Sequence, residues 1–205
     1  MKTVFIQPER CVGCKQCEIA CAVEHSQSKN LYQAVSESPK PRPRINAGPG
    51  IYFNSSFPNK CRHCNPAPCL SVCPTAAISR TPDQEIVLID GSKCISCAMC
   101  ALVCPFDVIR YYESADTLKN RVVALKCDHC IERQKDNREP ACVEVCKVNA
   151  LLYGEINELI KTAGSELSRS VSAAVAEPAE PPEQPETYKA WKTWGKDAAS
   201  LNKNR

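Results

Sequence analysis

Glycine is scarce in this 205-residue chain: there are seven, at positions 13, 48, 50, 91, 154, 164 and 195. No G-x-G-x-x-G run and no P-loop can be drawn from them, which removes the usual backbone cradles for dinucleotides and nucleoside triphosphates. Aromatic residues make up only 6%, too few for a conventional aromatic core. The longest apolar runs, such as Ile86–Ile89, are far too short to cross a bilayer. The first ten residues carry no apolar h-region, no small-residue cleavage site and no twin-arginine pair. A cytoplasmic location without a membrane span is therefore expected. Cysteine stops at Cys146, and histidine is limited to His25, His63 and His129.

What the chain does have is sixteen cysteines, all between Cys11 and Cys146. Thiols in a reducing compartment are more often ligands than disulfides. They fall into four groups of four. Group one is Cys11, Cys14, Cys17 and Cys21. Group two is Cys61, Cys64, Cys69 and Cys73, followed by Pro74. Group three is Cys94, Cys97, Cys100 and Cys104, followed by Pro105. Group four is Cys127, Cys130, Cys142 and Cys146. Groups two, three and four start 33 residues apart, an internal repeat, and no cysteine is left over.

Groups one and three have the C-x2-C-x2-C-x3-C spacing of a bacterial iron–sulfur run. Three cysteines at x2 intervals can wrap one face of a cube in a tight loop. The fourth, three residues further on, sits on a helix that leads away, so it ligates the other cluster of a pair. Structural zinc is the main rival. It prefers two C-x2-C pairs separated by a spacer, a pattern that group four alone resembles. Groups two and three both end in Cys-Pro and lie close in sequence, so they read as one two-cluster unit. Groups one and four then form a second unit that encloses it. Crossed ligation predicts four [4Fe–4S] clusters: Cys11, Cys14, Cys17 with Cys146; Cys127, Cys130, Cys142 with Cys21; Cys61, Cys64, Cys69 with Cys104; and Cys94, Cys97, Cys100 with Cys73. Strands are expected at Thr3–Ile6 and Ala150–Tyr153, pairing to close the outer unit. Hairpins are expected from Ala77–Ser79 with Glu85–Ile89 and from Val108–Tyr112 with Arg121–Leu125.

The four groups, the long central gap of group four and the Cys73-Pro74 and Cys104-Pro105 endings resemble the four-cluster ferredoxin-like electron-transfer subunits of oxidoreductases. The run from Cys11 to Cys21, with Glu24-His25-Ser26 after it, is most similar to the partner subunit of carbon monoxide dehydrogenase. It is also similar to the small subunit of tungsten aldehyde oxidoreductase. The resemblance covers about residues 3–154. It implies an α+β fold of two nested dicluster ferredoxin units and a non-catalytic chain. Such a chain relays single low-potential electrons between a catalytic subunit (aldehyde oxidoreductase, carbon monoxide dehydrogenase, formate dehydrogenase or hydrogenase type) and a second redox subunit. In some relatives tryptophan replaces the cysteine corresponding to Cys69; here the cysteine is present, and a full cube is expected.

The expected organisation is a four-cluster domain over 1–154 and a tail over 155–205. The domain comprises an outer unit of about 1–21 and 121–154, an inner unit of about 58–120 and an insertion loop at 22–57. The five prolines between 39 and 58 argue for an extended insertion. Lys15, Arg62, Lys93, Lys126 and Lys147 lie next to ligands and are candidates for favouring reduction, or are simply solvated. His63 and His129, inside C-x2-C loops, could donate to cluster sulfur or be exposed loop positions. The competing function class is a zinc-stapled interaction or nucleic-acid module using Lys40–Arg44; no nucleic-acid partner is expected on the iron–sulfur reading. In the tail, Ile156, Leu159, Ile160, Ala163, Leu167, Val171, Ala174 and Val175 recur at helical spacing. An acidic proline-rich spacer, Glu177–Pro185, follows. Then Tyr188, Trp191 and Trp194 form an aromatic anchor expected to dock on a neighbouring subunit.

Overall fold

The structure, a computed structural model, describes residues 2–50, 55–82, 85–114, 121–175 and 186–202, excluding the side chains of 174, 175 and 195–202. Residues 83–84 and 115–120, which connect the expected hairpin strands, and the spacer 177–185 lie outside the described residues. The chain divides into two compact units, Met1–Leu159 and Ile160–Arg205.

The first unit is built from four two-stranded antiparallel sheets. Strand β1 (Lys2–Ile6) pairs with β8 (Leu151–Glu155) in the register Ile6↔Leu151. Its β-branched Thr3, Val4 and Ile6 suit a half-buried strand, and Val4 and Leu151 point into the core. Strands β4 (Ile78–Arg80) and β5 (Val87–Ile89) form one local hairpin, and β6 (Arg110–Glu113) and β7 (Val122–Leu125) another. Short helices lie between them: α1 (Gln16–Glu24), α2 (Leu31–Ala34), α3 (Pro68–Ser71), α4 (Met99–Leu102), α5 (Ile131–Lys135) and α6 (Ala141–Glu144).

Two small cores result. One gathers Ala77, Ile78, Val87, Ile109, Val123 and Ala124 around Cys94 and Cys100. The other gathers Val4, Ile45 and Leu151 around Cys21 and Cys142. Both are made of small and β-branched side chains interleaved with sulfur.

The insertion is not a plain extended loop. Helix α1 runs on to Glu24, three residues past Cys21. Two further strands, β2 (Ile45–Pro49) and β3 (Ser56–Lys60), pair antiparallel. Pro49 and Pro58 are tolerated because each strand of a two-stranded sheet is an edge, where a missing N–H need not break a ladder. Ile45 joins the outer core. The Ala47 N–H donates to Glu18 of α1 at 2.6 Å. Asn30 caps α2 by accepting from the Tyr32 and Gln33 N–H groups.

In the tail, α7 (Ile156–Val175) is one continuous helix and α8 (Glu186–Asn202) another. The serines of α7 do not break it, because Ser165, Ser168 and Ser170 each donate a hydroxyl hydrogen bond to the carbonyl four residues back. Among the described residues no helix is long and apolar enough to cross a membrane.

Candidate metal centres

Each C-x2-C loop curls by the same device. The residue before the second cysteine has a left-handed backbone: Gly13 at φ +67°, His63 at +50°, Ser96 at +58° and His129 at +63°. This conformation is unusual outside glycine, and its recurrence marks a built loop. It turns successive N–H groups to one side as an anion-binding nest. At position 13 a Cβ would also come within 3.2 Å of the Ser56 Cβ, so glycine is needed there twice over. The third cysteine of every group begins or lies in a short helix: Cys17 in α1, Cys69 in α3, Cys100 in α4 and Cys142 in α6. The fourth cysteine follows the helix in groups two to four. There the N–H of Ala76, Asp107 or Asn149 returns to the carbonyl of Cys73, Cys104 or Cys146 at 3.3 Å. Pro74 and Pro105 open that turn, and Lys147 opens the same turn without a proline.

The cysteines so placed come together across groups. One apolar cavity is lined by Cys61, Cys64 and Cys69 together with Cys104. A second is lined by Cys94, Cys97 and Cys100 together with Cys73. In the outer unit, Cys21 sits in the charge environment of Cys127, Cys142 and Cys130. Cys17 lies close to Cys11 and Cys14, and Cys146 packs in the same core as Cys17.

Burial pushes the Cys17 thiol up to about 11 and the Cys130 thiol up to about 12, and raises Cys142 further. Left alone these thiols stay protonated, and a metal must displace the protons to bind. The backbone is arranged to receive thiolates. N–H groups approach sulfur from His63 to Cys61 (3.4 Å), His129 to Cys127 (3.4 Å), Ala124 to Cys94 (3.4 Å), Ala77 to Cys73 (3.2 Å) and Arg44 to Cys21 (3.2 Å). The Tyr111 hydroxyl lies 3.3 Å from the Cys100 sulfur.

The spread of the sulfurs bears on which metal fits. A zinc tetrahedron with Zn–S near 2.3 Å needs sulfurs about 3.8 Å apart. Among the described residues, no trio of cysteine sulfurs lies within 4.8 Å of one another. The one such trio of metal-ligating types is His25, Asp128 and Cys130. In it Asp128 is already engaged, accepting from His25 Nε2 at 3.0 Å and from the Arg44 guanidinium. Burial opposes ionisation of Asp128, but these two partners outweigh it and hold the carboxyl below its usual range. Wider sets of four sulfurs around an apolar cavity, with N–H donors aimed at them, fit the larger [4Fe–4S] cube.

The structure buries both loop histidines, against the reading of them as exposed loop positions. His63 and His129 face each other with ring centroids 5.0 Å apart. Burial, helped by neighbouring Lys126 and Lys60, lowers His63 to about 2 and His129 to about 3, so both are neutral. The Val87 N–H donates to His63 Nδ1 at 3.1 Å, which places the ring proton on Nε2. His63 lines the Cys61 cavity, and its Nε2 has no protein partner. A buried N–H without an acceptor is what a sulfide-bearing group would satisfy.

Of the basic candidates, Lys126 is buried, Arg62 is half-buried beneath Phe57 and Phe106, and Lys15, Lys93 and Lys147 are solvent-exposed. Sequence reasoning missed Lys60, at 1% exposure the most buried cation among the described residues. The signal was present: Lys60-Cys61-Arg62-His63-Cys64 repeats as Lys126-Cys127-Asp128-His129-Cys130.

Residues 52–156 match the model of the 4Fe-4S dicluster domain. The chain is 41% identical over 151 residues to the putative oxidoreductase UacF of Escherichia coli K12, a match covering 73% of this chain and 21% of UacF. It therefore spans about a fifth of that relative's length. Over 176 residues it is 31% identical to the electron transport protein HydN of Escherichia coli K12, covering 82% of this chain and 95% of HydN. With the thiosulfate reductase electron transfer subunit PhsB of Salmonella typhi it shares 36% identity over 151 residues, covering 73% of each.

Proposed function

This chain belongs to the 4Fe-4S dicluster family, and from that premise we propose that it is a non-catalytic electron-transfer subunit of an oxidoreductase complex. It carries single low-potential electrons between a catalytic subunit and a second redox subunit. Four [4Fe–4S] clusters are held by the crossed sets Cys11–Cys14–Cys17–Cys146, Cys127–Cys130–Cys142–Cys21, Cys61–Cys64–Cys69–Cys104 and Cys94–Cys97–Cys100–Cys73. When bound, such clusters supply one-electron redox chemistry with no substrate site of their own. The thiols provide the ligands, the backbone N–H groups soften the charge on sulfur, and the apolar walls keep water away. The observation that carries the reading is the pair of cavities in which three cysteines of one group meet the fourth of another.

The surface supports two ends for the relay. Cys14 and Cys97 are the two exposed cysteines of the sixteen. Exposed apolar side chains stand near each in sequence: Val12 and Ile19 on either side of Cys14, and Ile95, Met99 and Leu102 around Cys97. One end therefore belongs to group one and the other to group three, so each unit contributes one face. The resemblance noted in the sequence favours a catalytic partner of carbon monoxide dehydrogenase or tungsten aldehyde oxidoreductase type. In α8, Tyr188, Trp191 and Trp194 are exposed, with the two indoles edge to face at 6.0 Å, and form an anchor for a neighbouring subunit.

The test is anaerobic purification of the chain from its native cells. About sixteen irons per chain, a brown colour and a co-purifying catalytic subunit are expected. Zinc in place of iron, or about eight irons, would refute the four-cluster assignment.

A further inference from the structure

The fourth cysteine of group one is placed unlike the others. Cys21 lies inside α1, which runs on to Glu24, so the chain does not turn after it. Cys73 receives an N–H from Ala77, four residues on in its own turn, at 3.2 Å. Cys21 has no such local donor. The N–H groups that follow it are engaged on helical carbonyls, that of His25 on the Cys21 carbonyl at 3.2 Å. The donor that reaches the Cys21 sulfur comes instead from 23 residues further along, the Arg44 N–H at 3.2 Å.

A set of side chains holds that donor in place. Arg44 stands at the entrance to β2, next to Ile45, which packs in the core with Cys21 and Cys142. Its guanidinium donates to the Asp128 carboxylate across 84 residues of sequence. His25, at the end of α1, meets the same carboxylate through Nε2 at 3.0 Å, across 103 residues, and its Nδ1 faces the Cys21 carbonyl at 2.7 Å. Asp128 also accepts the Cys130 N–H at 3.0 Å. His25, Arg44 and Asp128 are only 12%, 20% and 23% exposed, so the carboxylate is held by its donors rather than shared with water. Both cysteines that the network touches, Cys21 and Cys130, belong to one crossed set.

We propose that Arg44, Asp128 and His25 are positioning residues for the cube that Cys21 shares with group four: the carboxylate clamps the insertion so that the Arg44 N–H stays on the Cys21 sulfur. This rests on the four-cluster reading above. A thiolate that accepts an N–H bears less negative charge towards its iron, and the bound cube is easier to reduce. The insertion thereby sets one potential of the four, that of the cube held by Cys127, Cys130, Cys142 and Cys21.

The test uses the full chain, purified anaerobically, with arginine isotopically labelled at its backbone nitrogen. Pulsed EPR of the reduced protein reads the coupling of that nitrogen to a cluster. Cys142→Ser identifies the signal of the group-four cube, and Arg44→Met, which removes the labelled position, assigns the coupling to Arg44. Asp128→Ala leaves Arg44 in the chain, yet at full iron content it should weaken the coupling by about half or more, because the N–H drifts off the sulfur. Arg44→Pro, which has no N–H, should make the same cube at least tenfold harder to reduce, a drop of about 59 mV for a one-electron couple, with the other three potentials unchanged. Full coupling in Asp128→Ala overturns the proposal, as does a wild-type group-four cube without arginine coupling, or four unchanged potentials in iron-loaded Arg44→Pro. If Arg44→Pro loses iron, the coupling in Asp128→Ala decides alone. If Asp128→Ala loses iron, His25→Ala takes its place with the same expected weakening. Iron loss in both means a purely structural clamp and also overturns it. A wild-type chain without about sixteen irons fails the four-cluster reading itself, a separate outcome.

Discussion

The inner and outer units use the same cysteine repeat but are closed by different forces. The inner unit is local. Its two hairpins join neighbouring segments, and its core of Ala77, Ile78, Val87, Ile109 and Val123 is apolar throughout. The outer unit is non-local. Strand β1 meets β8 from the far end of the domain. Charge then ties it: buried Arg133 pairs with Glu24 at 2.7 Å and with Glu144, and Asp128 joins His25 to Arg44. Closing a long loop costs more chain entropy than closing a hairpin. The outer unit offsets that cost with ion pairs and an added strand pair, β2–β3, packed on α1.

The comparison breaks most severely at a crossing ligand. Cys21→Ala is expected to remove the cube held mainly by group four, and Cys73→Ala the cube held mainly by group three, each lowering iron from about sixteen to about twelve per chain. The Cys21 variant should also lose the β1–β8 pairing, measured by amide exchange, while the Cys73 variant keeps it. Equal loss of outer-strand protection in both would show the units are not separable.

Next in size is Arg133→Met, which leaves the partly buried Glu24 with only the exposed Lys29 as an ion-pair partner among the described residues. Breaking a buried pair this way should cost about 3 kcal/mol in denaturant unfolding of the iron-loaded protein. An inner-unit exchange, Arg110→Met, removes an exposed pair with Asp107 and should cost far less than Arg133→Met. If the two variants are equally stable, the outer unit is not held by charge.

The joint between the units should be acid-sensitive. His63 and His129 have folded values depressed from 6.5 to about 2 and about 3. Below 6.5 the unfolded chain takes up protons that the folded chain refuses. Their contribution is therefore fully present above about 6.5 and is lost as pH falls towards the folded values, at about 1.4 kcal/mol per pH unit for each ring. Unfolding free energy measured from pH 7 to pH 5 should fall accordingly, and a flat profile would mean the rings reach water.

The smallest effect belongs to the exposed side chains. Lys93→Gln, at a solvent-exposed pair with Asp90, should leave the denaturant midpoint unchanged. Trp191→Ala should leave iron content unchanged yet weaken co-purification of the catalytic subunit; unaltered co-purification would remove α8 from the assembly.

Much of the site was legible because ligand chemistry forces spacing. A thiol that must reach one iron of a cube tolerates little variation along the chain, so Cys94, Cys97 and Cys100 read as one loop and Cys104 as the residue that leaves it, from four positions and a proline. The outer strand pair was legible from Val4 and Leu151 once the groups were nested. The β2–β3 pair was not, because Pro49 and Pro58 imitate a loop, and their edge positions exist only once the strands have paired. Arg133, Asp128 and His25 look like surface residues in sequence, and only distant partners bury the first and half-bury the other two.

The sequence by itself determined the cysteine repeat and the short strands of β4–β5 and β6–β7, since each depends on local spacing, backbone sterics and side-chain alternation. Only the tertiary structure decided which cations count. Lys60 and Lys15 both adjoin a ligand, but one is sealed at the joint and the other stands in water. Charge acts through space and dielectric, and the chain order records neither.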